Sequence, residues 1–218
     1  MLVELFGQPG AGKTSLVRAA AAGSELRGRA SLGAAWKQQS NIGKAAYFAR
    51  AILDPACLVH AIKLAIGARL FHRDSLSRLA RLVIKSHWVR SQTGLLLMEE
   101  GHLQDLWSIF YSAGELEPEP RLLAPLIGCL YRDVDVQLVF LEVDPQSAFD
   151  RIRARAHGKS RFDQLAEEEL RKQLAASAQL PYKLAEAARL AGLKVERLDA
   201  SLPVEESVHL LSALLRRS

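Results

Sequence analysis

The segment Gly7-Gln8-Pro9-Gly10-Ala11-Gly12-Lys13-Thr14 constrains this 218-residue chain more than any other. It fits the pattern G-x-x-x-x-G-K-[ST], in which glycines let successive backbone N–H groups turn inward around a phosphate without Cβ clashes. The context fits as well. Met1 to Phe6 is a short apolar run that reads as a buried parallel strand, and Thr14 to about Leu26 reads as an alanine-rich helix. A helix N-terminus adds favourable partial charge for an anion. Lys13 is expected to reach the β- and γ-phosphates of a nucleoside triphosphate, and the Thr14 hydroxyl to ligate Mg²⁺. The expected cofactors are therefore ATP and Mg²⁺, with Gly7, Gln8, Pro9, Gly10, Ala11, Gly12, Lys13, Thr14 and Ser15 as the binding segment.

A second signal is Leu95-Leu96-Leu97-Met98-Glu99-Glu100-Gly101. An apolar strand ending in an acid at its carboxyl edge is the Walker B arrangement, and ligands of open α/β sheets sit outside those edges. Here the first acid is Glu rather than Asp, one methylene longer. Adjacent strand residues point to opposite faces, so one of Glu99 and Glu100 faces the phosphates unless the strand has already ended. Glu99 is assigned to the metal with Thr14, and Glu100 is the candidate base or substrate contact.

The third signal is basic. Arg151 and Arg155 stand at i and i+4 on one helix face, with Lys159 and Arg161 following in a glycine-containing loop. Arginines suit the charge that spreads over a transferring phosphoryl group, and a basic loop there reads as a lid over it, at about 151–163. A fourth signal, Leu198-Asp199-Ala200-Ser201, closes the last strand. Asp199 and Ala200 are expected near the base end of a nucleotide, and Asp199 also suits a helix cap. The candidate catalytic set is Lys13, Glu99, Glu100, Arg151, Arg155 and Arg161.

Further strands are expected at 136–143 and 194–198, and a short one around 30–32 is compatible with the sequence. From Asn41 to Gln92 the pattern is helical, with breaks at Asp54-Pro55 and Asp74-Ser75. In the last of these helices Arg78, Arg81 and Lys85 form a stripe whose default reading is a solvated face. Trp36, Lys37, Arg90, His102 and Gln104 are candidates by position only. Strands alternating with helices imply right-handed crossovers and a parallel sheet covered on both faces.

Composition narrows the class. Hydrophobic residues are 49% and charged residues 24%, proportions of a globular chain rather than a disordered one. The length suits one domain, 1–218, with a helical acceptor-side region at about 41–92. Two cysteines, Cys57 and Cys129, match no metal spacing and read as two idle thiols, which fits a reducing compartment. The N-terminus has no signal-peptide features and no window spans a membrane, so a cytoplasmic location is expected. The net charge of +5 is concentrated at 50–90 and 151–161. Neither region interleaves aromatics as a base-stacking platform does, which argues for an anionic small molecule over nucleic acid. A homodimer is compatible with these features.

The order of these motifs resembles the nucleoside and nucleotide kinases of the P-loop superfamily, the thymidylate kinase-like group in particular. The resemblance rests on the phosphate loop, on the strand, Asp-Pro turn and R-I-x-x-R helix across Val136 to Arg155, and on Val195 to Ser201. It implies a three-layer α/β fold, with a five-stranded parallel sheet of order 2-3-1-4-5, helices on both faces and an arginine lid. It also implies that Arg151 and Arg155 are lid residues. The chain departs from that group in having Glu99-Glu100-Gly101 where the group usually has Asp-Arg. The leading expectation is a small-molecule kinase that moves the γ-phosphoryl of Mg-ATP to an anionic or hydroxylated acceptor of nucleotide, nucleoside or sugar type. The alternative is an ATP-binding regulatory or accessory ATPase that switches a partner protein.

Overall fold

The first strand, β1 (Leu2–Gly7), is buried at all six positions, as the apolar N-terminal run requires. The computed structural model describes residues 1–22, 36, 38–155 and 160–216. On one side β1 pairs in parallel with β2 (Leu96–Met98), and on the other with β3 (Val136–Glu142). β4 (Val195–Asp199) pairs in parallel with β3. The sheet order is β2-β1-β3-β4. Among the described residues there are thus four strands, which corrects the expected five. The order found is 2-3-1-4-5 without its outermost strand, and the segment 30–32 lies outside the described residues.

Alternation along β1 sends side chains to two cores. Leu2 and Phe6 face the larger one with Met98, Leu138 and Phe140, and the Phe6 and Phe140 rings stack at 5.4 Å. Val3 and Leu5 face the smaller one with Leu97, Val139, Leu141 and Leu198. Helix α1 (Lys13–Ala22) covers the smaller core through Leu16, Val17 and Ala20, and α10 (Val204–Arg216) covers it through Leu211. The larger core is roofed by α2 (Asn41–Leu53), α3 (Ala56–Gly67), α4 (Arg73–Arg90), α5 (His102–Ala113), α6 (Pro120–Leu130) and α9 (Leu180–Leu190). Between β3 and α9 lie α7 (Pro145–Arg153) and α8 (Glu167–Ala176).

The region 41–92 is helical as expected, but its second break differs. α3 ends at Gly67, and the chain turns through Arg69 at φ 53° to leave α4 starting at Arg73. Asp74 therefore lies in the first turn of α4, where an acid complements the helix dipole and pairs with Arg78 at 2.8 Å. No helix among the described residues is long and apolar enough to cross a membrane.

Cys57 of α3 and Cys129 of α6 form a disulfide with Cα atoms 5.4 Å apart. This overturns the reading of two separate thiols, and with it the support they lent to a reducing compartment. Arg90 of α4 reaches the same seam, donating to the Cys129 carbonyl at 2.5 Å and pairing with Asp54 at 3.3 Å. Arg90 is thus a structural tie between helices rather than an acceptor contact.

A bridge across a sequence separation of 72 residues removes loop-closure entropy from the unfolded chain, worth about 2–4 kcal/mol in typical cases. Reduction, or Cys57→Ala with Cys129→Ala, is expected to lower Tm by about 5–15 °C. Thermal melts with and without a phosphine reductant measure this, and the double variant should melt alike in both conditions.

Candidate active site

β1 delivers the chain into the glycine loop, and the loop is shaped by close approach to neighbouring backbone. Gly10 sits at φ 86°, and a Cβ on it would stand 2.5 Å from the Ala148 carbonyl oxygen of α7. A Cβ on Gly7 would stand equally close to the Leu141 carbonyl oxygen of β3. Both glycines are therefore demanded by packing as well as by turn geometry. Gln8 is buried, and its side-chain amide donates to the Leu174 carbonyl at 2.5 Å, tying the loop to α8. The Lys13 ammonium curls over the loop and donates to the Gly7 and Gln8 carbonyls at 2.8 and 3.0 Å.

Lys13 carries the most informative electrostatics. Its pKa is lowered to about 7, first by burial and next by repulsion from Arg155, while Glu99 and Glu100 pull the other way. Three groups expected around a phosphate thus act on the Lys13 ammonium. β2 stops at Met98, so Glu99 and Glu100 stand in the bend beyond it. The strand alternation that would have separated them no longer applies. Glu99 has a buried carboxylate oxygen, Oε2, without a hydrogen-bond partner. With the exposed Thr14 hydroxyl, that hard oxygen donor suits Mg²⁺. Among the described residues no group of three or more His, Cys, Asp or Glu side chains forms a metal cage. A Mg²⁺ here would take its remaining oxygens from phosphate and water.

Two residues that sequence reasoning passed over hold this bend in place. Glu4 lies on β1 between Leu2 and Phe6 and is fully buried. Its carboxylate accepts from the His102 and Leu103 backbone N–H groups at 2.9 and 2.7 Å and from the Tyr131 hydroxyl at 2.5 Å. It therefore caps α5 from across the sheet, and a Cβ at Gly101 would overlap it. Burial raises the Glu4 pKa to about 6, against the opposing pull of Tyr131, Lys85 and the two backbone donors. The only signal in the sequence was an acid inside an otherwise apolar strand. Lys85 is the second such residue. It is buried, and its ammonium donates to the Glu100 carbonyl at 2.6 Å and pairs with Asp105 at 2.7 Å.

Two cavities of about 310 Å³ each flank this centre. The first is lined by Gly10, Ala11, Gly12, Ser15 and Leu16 of the loop, by Arg151 and Arg155, and by Ala200, Leu202 and Val204. Arg151 donates to the Ala200 carbonyl at 2.5 Å, joining α7 to the loop after β4. Asp199 is exposed and accepts from the Ser201 N–H at 2.8 Å, which closes a local turn rather than capping α10, whose first residue is Val204. Arg155 pairs with Asp163 at 3.8 Å. Arg161 is set apart from Arg151 and Arg155. It stacks over Tyr111 at 4.4 Å and donates to Ser112 at 3.0 Å, both on α5.

The second cavity is lined by Trp36, Arg78, Arg81, Leu82, Lys85, Glu100, Asp105, Ser108 and Ile109. The stripe of α4 read as a solvated face is thus a cavity wall, with Lys85 buried at its inner end. Trp36 joins it and packs against Trp88 at 5.3 Å. His102 is buried beside Tyr131, with its pKa held well below the usual imidazole range by burial. Gln104 is half-buried with a buried, unpartnered Oε1. Lys37, Lys159 and residues 156–158 lie outside the described residues.

No family model matches the chain, and no curated protein matches it. Solved structures do. A deoxyadenosine kinase from M. mycoides with bound dATP aligns over 99% of this chain and 100% of its own, at 14% identity and TM-score 0.53. The same kinase with dCMP and dCDP aligns over 100% and 99%, at 16% identity and TM-score 0.52. A shikimate kinase from Bacteroides thetaiotaomicron aligns over 99% and 98%, at 18% identity and TM-score 0.54. The fold is that of the P-loop kinases. At these identities the likeness establishes the fold alone. In this P-loop kinase fold the loop, the two glutamates and the arginine helix occupy one end of the sheet.

The depressed pKa of Lys13 gives a test of the cradle. A polyphosphate favours the ammonium form, so its binding raises the Lys13 pKa from about 7. Above pH 7 binding must then take up a proton, and affinity falls as pH rises. Calorimetry of tripolyphosphate at pH 8, in buffers of different ionisation enthalpy, should show uptake approaching one proton. Lys13→Arg should abolish the uptake, because arginine stays charged.

Proposed function

We propose that the chain is a small-molecule kinase that transfers the γ-phosphoryl of ATP to an acceptor bound in the second cavity. The observation that carries this reading is the position of Lys13. Its ammonium interacts with Arg155, which lines the first cavity, and with Glu100, which lines the second. A nucleotide switch needs only the first. A transferase needs a second cavity opening on the same phosphate.

In this reading the nucleoside lies between the start of α1 and the Ala200–Leu202 loop, and the phosphates lie in the N–H nest of residues 7–15. Lys13, Arg151 and Arg155 neutralise charge on the transferring group. Thr14 and Glu99 would hold Mg²⁺, which supplies further charge neutralisation at the phosphate oxygens when bound. The acceptor hydroxyl attacks the γ-phosphorus. The bond from that phosphorus to the bridging oxygen breaks, and the hydroxyl proton passes to the Glu100 carboxylate. Lys85 and Glu4 act through the backbone, holding Glu100 and α5 in register with the loop. The neighbours named deoxyadenosine kinase and shikimate kinase support a transferase and differ in acceptor, so the fold leaves the acceptor open.

The test is ADP formation with Mg-ATP and pools of candidate acceptors, followed by mass spectrometry. Lys13→Ala should abolish acceptor-dependent turnover. Glu100→Gln should lower kcat by about 10²–10⁴-fold, the usual range for a general base. Glu99→Gln should instead raise the Mg²⁺ concentration needed for half-maximal rate. If the two variants exchange these effects, the roles are reversed. Slow ADP formation that no acceptor changes, and that a partner protein raises, would establish the regulatory ATPase instead.

A further inference from the structure

The proposed acceptor cavity is sorted by charge along α4, and the sorting specifies what it takes. At its inner end Lys85 is matched by Asp105 at 2.7 Å and by the Glu100 carbonyl. Arg81 and Arg78 follow one and two turns outward on the same face, at four and seven residues from Lys85. With a helical rise of 1.5 Å per residue they lie about 6 and 10 Å from it along the axis. Leu82, Ile109 and Trp36 line the walls between.

The outer cations are not consumed by the protein. Arg78 pairs through Nε with Asp74 at 2.8 Å, leaving its terminal nitrogens to the cavity, where one donates to Ser108 at 2.9 Å. Arg81 makes no ion pair among the described residues, and its Nε meets only the Ser77 carbonyl at 3.3 Å. Arg161 stands on the same side, stacked on Tyr111 and held by Ser112. Like charges gathered at a cavity mouth repel one another, and an oxyanion received by guanidinium forks relieves that repulsion.

We infer that the acceptor is a hydroxyl-bearing oxyanion, its hydroxyl at Glu100 and its phosphate or carboxylate on Arg81 and Arg78. This rests on the kinase reading above and narrows it. A neutral nucleoside or free sugar leaves Arg81 without an anionic partner and is a poor acceptor. Arg81 is the specificity residue, because its guanidinium has no other anionic partner and its exposed position keeps it out of the core.

The experiment presents Mg-ATP with three separate pools: neutral nucleosides and sugars, nucleoside monophosphates and sugar phosphates, and hydroxycarboxylic acids. Product from either anionic pool, and little from the neutral one, is the expected result, and the reactive pool tells phosphate from carboxylate. With that acceptor Arg81→Ala should raise KM by about 10–100-fold, the loss of a charge-assisted hydrogen bond, and change kcat far less. Arg81→Lys should recover part of the affinity. Efficient phosphorylation of a neutral acceptor, or an unchanged KM in Arg81→Ala, overturns the inference while leaving the kinase reading intact. Absence of product from all three pools overturns the kinase reading and the inference together.

Discussion

Burying a carboxylate costs several kcal/mol unless donors meet its oxygens, and Glu4 is met by two backbone N–H groups and a tyrosine hydroxyl. The donors come from the first turn of α5, where the helix dipole also favours negative charge. One strand therefore carries two fixtures. Its end becomes the phosphate loop, and its third buried residue anchors the helix that follows Glu99 and Glu100. The separation between Lys13 and the two glutamates is set by β1 rather than by flexible loops. Rigid placement of this kind is what a reaction centre requires, since small errors in position cost large factors in rate.

The same bend is gripped from the other side by Lys85. Its ammonium binds a main-chain carbonyl and a carboxylate together, so the Glu100 backbone is fixed at the wall of the second cavity. A lysine in that role explains why α4 can be both a core helix and a cavity wall. Its buried residues Leu79, Leu82 and Val83 face the sheet side. Arg78 and Arg81 continue the Lys85 line outward into solvent. Lys85 and Arg78 on this line are paired with Asp105 and Asp74, and Arg81 between them has no ion pair among the described residues.

Much of this was legible in the sequence because the signals are local. The loop, the strand before it, the acids after an apolar run and the arginines at i and i+4 each depend on residues within one turn or one strand. The unread parts depend on long-range pairings. Glu4 meets residues 98, 99 and 127 positions away, and nothing near it in the chain announces that. The Lys85 stripe has the periodicity of a surface helix, and only the approach of α5 turns it into a wall. The cysteines lack any spacing motif because α3 and α6 meet only through the tertiary fold. The edge strand of the sheet was expected from resemblance rather than from pattern. Its candidate segment, flanked by Gly28 and Gly33, had the weakest strand signal of the set.

The arginines after β3 divide by function along the same reasoning. Arg151 and Arg155 leave α7 on the side of the first cavity, and Arg151 is fastened to the loop after β4. Arg161, only six positions beyond Arg155, is instead stacked on Tyr111 of α5, beside the buried Phe162. A basic run that reads as one cluster in sequence is thus split in space, with Arg151 and Arg155 at the first cavity and Arg161 packed on α5. The split matters for the chemistry. On the proposed kinase reading, cations at the first cavity stabilise the migrating phosphoryl group, and cations at the second select what receives it. The two arginine groups need not respond to the same ligand. On the proposed kinase reading the nucleotide site draws on the loop after β1, on α7 and on the loop after β4, whereas the acceptor site draws on α4 and α5. On that reading acceptor choice can vary through α4 alone, at Arg78 and Arg81, without disturbing the loop proposed to hold the phosphates.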